Sequence, residues 1–190
     1  MEEIYIFGHK NPDTDTILSA LILEAIEKTM GIYKVKAYRL GEVNKETQYA
    51  LDYFGVKAPE LLEEVEEGRQ VMLVDHNEFN QSVKGIEKAK IIRVVDHHKI
   101  ANFETHEPLF YMAMPVGCTA TILRDMCNVS GIKIDRVTAG LMLSAIISDT
   151  LLLKSPTTTE KDKETAEELA KIANVDLNAY GMDMLKAGTD

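Results

Sequence analysis

Short apolar runs alternate with longer amphipathic ones along most of the chain. Ile4 to Phe7 is β-branched and aromatic enough for a buried strand, and Asp13 to Met30 carries Ile17, Leu21, Ile22, Ala25 and Ile26 at helical spacing. Tyr33 to Arg39 predicts a second strand, Asn44 to Phe54 a helix stopped by Gly55, and Pro59 to Glu67 a short acidic helix. Two further strands, Arg69 to Val74 and Ile91 to Val95, run into Asp75-His76-Asn77-Glu78 and Asp96-His97-His98. Leu109 to Met114 predicts a fifth strand, and helices follow over Thr119 to Val129 and Asp135 to Ile147. Glu160 to Ala173 and Leu177 to Leu185 predict charged surface helices. Strands alternating with helices predict an α/β fold, a doubly wound, mostly parallel sheet flanked by helices.

In such a sheet the carboxyl ends of the strands share one edge, where ligands bind. Three clusters fall there: Gly8-His9-Lys10-Asn11-Pro12-Asp13-Thr14-Asp15, then Asp75 with His76, then Asp96-His97-His98. They hold four of the five histidines; His106 lies in a polar loop and is expected in solvent. Asp13 and Asp15 stand where carboxylates commonly cap a helix, so capping alone could explain them as an isolated pair. Grouping with His9 and His97 points instead to a metal site, since neutral imidazole beside carboxylates is what a transition metal requires. Donors of this kind without thiolate suit manganese or cobalt, and zinc less distinctively. Asp149 closes a very apolar helix, where the dipole disfavours a negative charge, so a cation is expected beside it.

Composition narrows the setting. A chain of 190 residues with 45% hydrophobic content supports one substantial core. No charged-then-apolar leader precedes Glu3 and no apolar run reaches bilayer length, so a cytoplasmic protein with no membrane partner is expected. Cys118 and Cys127, nine positions apart, are expected as free thiols. The net charge of −10 opposes binding to nucleic acid, but carboxylates gathered around divalent cations can still create a locally positive site for an anionic substrate.

The set GHKNPDTDT, VDHNE, VVDHH and SDT resembles the DHH phosphoesterase superfamily, and GHxNPD together with DHNE and LLLKSPT resembles family II inorganic pyrophosphatases. The likeness spans essentially the whole chain. Other DHH members usually show glycine where this chain has Thr14, and Leu62 to Val74 leaves no room for the CBS insertion of the regulated subfamily. The resemblance implies a manganese- or cobalt-dependent hydrolysis of pyrophosphate, with two ions per chain, Mg2+ accompanying the substrate, and a homodimer. It implies that His9 and Asp13 hold one metal, that Asp15, His97 and Asp149 hold a second, and that Asp75 bridges the two. His98 would face the substrate, while Asp96 and His76 would orient ligands by hydrogen bonds. Residues 1–185 would form the metal-binding core, with 186–190 beginning a linker to a C-terminal domain whose Lys and Arg residues clamp the distal phosphate; that domain is absent from this sequence. Turnover by this chain alone is therefore expected to be weak, with Lys10, Lys99 and Lys154 the nearest cations by sequence. Two other readings stand beside this one: a phosphodiesterase acting on short nucleotides, disfavoured by the absence of Trp and the acidic balance, and a metal-binding, dimerising fragment without turnover.

Overall fold

A computed structural model describes residues 1–189. Its elements run β1 (Ile4–Phe7), α1 (Thr14–Met30), β2 (Val35–Arg39), α2 (Lys45–Phe54), β3 (Glu60–Leu61), β4 (Gln70–Val74), β5 (Lys90–Asp96), β6 (Phe110–Ala113), α3 (Thr119–Ser130), α4 (Arg136–Thr150), α5 (Glu160–Ala173) and α6 (Leu177–Ala187). The six strands form one all-parallel sheet in the order β3-β2-β1-β4-β5-β6. Strand order reverses between β1 and β4, and a crevice at such a switch point is where open α/β sheets bind ligands. The loops after β1 and β4 flank that crevice, and the loop after β5 adjoins it.

Alternation along the strands builds two cores. Ile4, Ile6, Met72, Val74 and Val95 pack into a cluster shared with all six α-helices. Phe7, Val71, Leu73, Ile91 and Val94 point the other way. There the cover is 3₁₀ turns and loops, through Val65, Phe79, Val83, Ile86 and Phe103, so the α-helices gather on one face of the sheet. Strands buried on both faces read as near-continuous apolar runs, as β1 and β4 do, whereas Arg93 interrupts β5. Helix boundaries follow capping chemistry: Asp13, Asn44, Asp135 and Asp176 each accept a backbone N–H of the first turn, and Gly31, Gly55 and Gly131 close helices in the left-handed region.

The acidic helix expected over Pro59 to Glu67 does not form. Glu60–Leu61 instead extends the sheet beside Tyr38 and Arg39 of β2, Leu62 N donates to Arg39 O at 2.9 Å, and Val65 is buried in the second core. The open edge of β2 needs backbone partners, and that demand overrides the local preference of a Leu- and Glu-rich stretch for helix. The expected linker start at 186–190 begins inside α6, which continues to Ala187, and Asp190 lies outside the described residues. Both cysteines are buried and unpaired. Among the described residues no helix is long and apolar enough to cross a membrane.

Candidate metal centre

The turn after β1 carries His9 to the crevice and feeds α1. Its close fit requires a glycine at position 8, where a Cβ would stand 2.3 Å from Thr16 Cγ2 and 3.0 Å from Thr16 O. Asp13 is the N-cap of α1 and accepts from Thr16 N at 3.0 Å, so the capping role holds for this residue. Asp15, two residues further on in the first turn of α1, is fully buried and does not cap its own helix. Its Oδ1 accepts from Ser19 Oγ at 2.7 Å and its Oδ2 from Thr119 N at 3.0 Å.

Asp75 follows β4 with a left-handed backbone, φ 60°, and is 1% exposed. Its two oxygens face opposite ways. Oδ2 accepts from Thr16 Oγ1 at 2.6 Å and lies 3.5 Å from His9 Nε2; Oδ1 accepts from Thr119 Oγ1 at 3.1 Å and lies 3.2 Å from His97 Nε2. The two imidazoles are held alike. Nδ1 of His9 lies 2.6 Å from Lys10 O, and Nδ1 of His97 lies 2.9 Å from Val116 O. A carbonyl accepts only from N–H, so each ring carries its proton on Nδ1 when neutral and turns the Nε2 lone pair toward carboxylates. His97 Nε2 is buried without a hydrogen-bond partner, 3.2 Å from Asp75, 3.6 Å from Asp149 and 3.9 Å from Asp15. His9 Nε2 lies 3.8 Å from Asp13 Oδ1.

These residues form two groups with one member in common. His9, Asp13 and Asp75 each offer a donor atom within 4.8 Å of the others, as do Asp15, Asp75, His97 and Asp149. His98 joins Asp75 and His97 in a third such group. The electrostatics match a site built around positive charge. Burial, then the charges of Asp15 and Asp75, push Asp149 up to about 12, and burial with Asp75 pushes Asp15 up to about 7. Burial would also raise Asp75, but the imidazoles of His9 and His97 hold it well below the usual carboxylate range. His9 and His97 are in turn pulled up to about 9, the Asp75 carboxylate outweighing the burial that opposes their charge. Carboxylates this close ionise together only when cations stand among them. The donors are nitrogen and oxygen alone. The nearby Cys118 thiol is kept protonated by burial, and further by Asp15 and Asp149, so it adds no thiolate. An orphaned imidazole nitrogen among three carboxylates fits a divalent transition ion.

His98 sits at the rim, 49% exposed, with Nδ1 2.7 Å from Asp96 Oδ1. Asp96 is fully buried and also accepts from Asn77 Nδ2 at 2.8 Å. His76 takes a different part from the one expected. Its Nδ1 meets Val74 O and its Nε2 meets Ser82 Oγ, both at 2.9 Å, so it hydrogen-bonds no candidate ligand. Burial lowers it to about 4, leaving a neutral ring that ties the loop after β4 to the 3₁₀ turns. A cavity of about 300 Å³ opens over His9, Asp75 and His98, with Asn77, Gln81 and Lys99 also on its wall. Lys10 and Lys154 are exposed and do not line it, and His106 is exposed as expected.

Thr16 and Thr119 were not singled out by the sequence, although each hydrogen-bonds Asp75. Glu46 was also missed: its Oε1 accepts from Thr14 Oγ1 at 2.5 Å and from Ser148 Oγ, joining the turns that carry Asp13, Asp15 and Asp149. Thr16 stands inside the first motif and could have been suspected there. Thr119 and Glu46 lie far along the chain and carry no local signal.

Comparison with known proteins agrees with this fold. Residues 3–146 match the family model described as the DHH family, N-terminal domain. A relative from Oceanobacillus iheyensis, named as a probable manganese-dependent inorganic pyrophosphatase, is 60% identical over 190 residues, which are 100% of this chain and 61% of that protein. The chain thus spans about three fifths of the length of the curated relatives it matches. A solved structure from Methanococcus jannaschii, assigned to the family II inorganic pyrophosphatases, superposes with a TM-score of 0.89 at 44% identity, covering 98% of this chain and 61% of that one. An exopolyphosphatase-related protein from Bacteroides fragilis shares the fold, with a TM-score of 0.72 at 16% identity over 98% of this chain and 56% of that one. The matched segment runs from β1 into α4 and takes in the turns that bring His9, Asp13, Asp15, Asp75 and His97 together, and the chain belongs to the DHH family.

Proposed function

We propose that this chain is the metal-binding core of a manganese- or cobalt-dependent inorganic pyrophosphatase. One ion would be held by His9, Asp13 and Asp75, and the other by Asp15, Asp75, His97 and Asp149, with Asp75 shared. The observation that carries this reading is His97 Nε2, buried, without a hydrogen-bond partner and facing three carboxylates. The names of the relatives supply the metal and the substrate. When bound, two such ions supply a nucleophilic water at neutral pH and neutralise phosphate oxygens.

The chain's own residues do the rest. Asp75 presents one oxygen to each imidazole, and Thr16 and Thr119 fix its plane. Asp96 anchors His98 through Nδ1 and raises its pKa, so the protonated ring can donate from Nε2 to a phosphate oxygen in the cavity. The leaving group is itself phosphate, so positioning and charge neutralisation can supply the catalysis without a covalent intermediate. Lys99 is the cationic side chain lining the cavity, which holds a pyrophosphate anion less firmly than a multi-residue clamp would. We therefore also propose that residues 1–190 alone turn over slowly and gain from a separately supplied C-terminal domain.

Steady-state phosphate release from pyrophosphate and mononucleotide release from a dinucleotide, each with and without Mn2+, test the reading. Manganese-dependent release from pyrophosphate, increased by a C-terminal domain from a family II relative, is expected. Preferential cleavage of the dinucleotide would overturn it in favour of a phosphodiesterase.

A further inference from the structure

Asp162 lies on α5, outside every motif, yet it is completely buried. It belongs to a capping box, with Thr159 N and Thr159 Oγ1 donating to its Oδ2 at 2.8 and 2.9 Å. An acid in that position is ordinarily occupied by its own helix end. Here it also reaches out of the helix. Gly117 N donates to Oδ2 at 2.8 Å, and Thr121 Oγ1 to Oδ1 at 2.7 Å. A buried carboxylate is tolerated only when several donors meet it, and this one has four.

The Gly117 N–H belongs to the same peptide unit as the Val116 carbonyl, and that carbonyl receives His97 Nδ1 at 2.9 Å. A peptide unit is planar, so holding its N–H fixes the direction of its C=O. The carboxylate, the peptide and the imidazole thus form one hydrogen-bonded chain in which each bond polarises the next. Two residues on, Thr119 donates its N–H to Asp15 and its hydroxyl to Asp75. The turn at 116–119 therefore touches three residues of the candidate centre. It can approach Asp162 only because position 117 is glycine, where a Cβ would stand 2.8 Å from Asp162 Oδ2 and 3.2 Å from Thr157 O.

We propose that Asp162 is a positioning residue of the metal centre, orienting His97 through the 116–117 peptide and steadying Asp15 and Asp75 through the same turn. The inference rests on the metal-centre reading above. Groups one layer out from a metal ligand typically change affinity about 10- to 100-fold when lost.

The test is Mn2+ titration of the full chain by calorimetry, with the visible absorption of the Co2+-loaded protein as a second readout. Asp162→Ala, verified as folded, is expected to weaken binding of one ion about tenfold or more and to alter the Co2+ spectrum. Asp162→Asn keeps an amide oxygen for Gly117 N and should retain near-native affinity. Thr159→Ala removes the hydroxyl half of the capping box and keeps the Gly117 N–H bond to Asp162 Oδ2; it should lower Tm and leave affinity and spectrum unchanged. Native affinity and spectrum in folded Asp162→Ala would overturn the inference, as would an equal loss in Thr159→Ala. Asp162→Ser, too short to reach Gly117, carries the same expectation if the alanine variant does not fold. Absence of Mn2+ uptake by the unaltered chain would instead overturn the metal-centre reading, and this inference with it.

Discussion

The turns after β4 and β5 carry nearly the same residues, Asp75-His76-Asn77 and Asp96-His97-His98, yet they divide the work in opposite ways. After β4 the aspartate faces both imidazoles of the centre and the histidine is structural. After β5 the aspartate is the buried anchor and the first histidine faces the carboxylates. The difference lies in where each strand stops. Asp96 is still paired in the sheet, opposite Ala113 of β6, whereas Asp75 lies one residue past β4 and has turned into the left-handed region. Side chains of a strand alternate between faces, so a stop one residue earlier exchanges the residue that meets the crevice. An Asp-His string therefore does not assign a ligand until the strand end is known.

Replacing the two aspartates in turn breaks the comparison most severely. Asp75→Ala removes a donor from both groups and is expected to weaken both Mn2+ sites about 100-fold or more, by analogy with the loss of a bridging ligand. Asp96→Ala should leave two Mn2+ bound and act on substrate through the unanchored His98. Calorimetric titration of both variants separates these outcomes. Unchanged Mn2+ affinity in folded Asp75→Ala would return that residue to a structural strand end.

The histidines give a smaller and complementary effect. His97→Ala should lose one ion and keep the other, since His9 and Asp13 are untouched. His76→Ala should keep both ions and lose about 1–3 kcal/mol of stability, because Ser82 Oγ and Val74 O lose a buried partner. Elemental analysis beside urea unfolding reads both quantities. Loss of an ion in His76→Ala would show that the loop after β4 bears on the metals after all.

Much of this site was legible because its donors sit in three short motifs, each directly after an apolar strand. The sheet could be read for the same reason: β1 and β4 are largely buried on both faces, and their apolar runs are broken sharply by Gly8 and Asp75. Asp149 was legible through a mismatch, a carboxylate at the wrong end of an apolar helix. What escaped depends on contacts between distant residues. Thr119 meets Asp15 across 104 positions and Asp75 across 44, and Ser148 meets Glu46 across 102. His76 escaped because its partner, Ser82, is placed by a loop with no period of its own. The stretch Pro59 to Glu67 was misread because its local preference for helix is weaker than the demand of an open strand edge.

The shared oxygen pair of Asp75 is the centre of this account, and electron paramagnetic resonance of the Mn2+-loaded chain tests it most directly. Two Mn2+ ions joined through one carboxylate are exchange-coupled. At saturation the spectrum is expected to show the broadened, temperature-dependent signal of a coupled pair, at two ions per chain. An isolated six-line Mn2+ signal at saturation, or a single ion per chain, would contradict it.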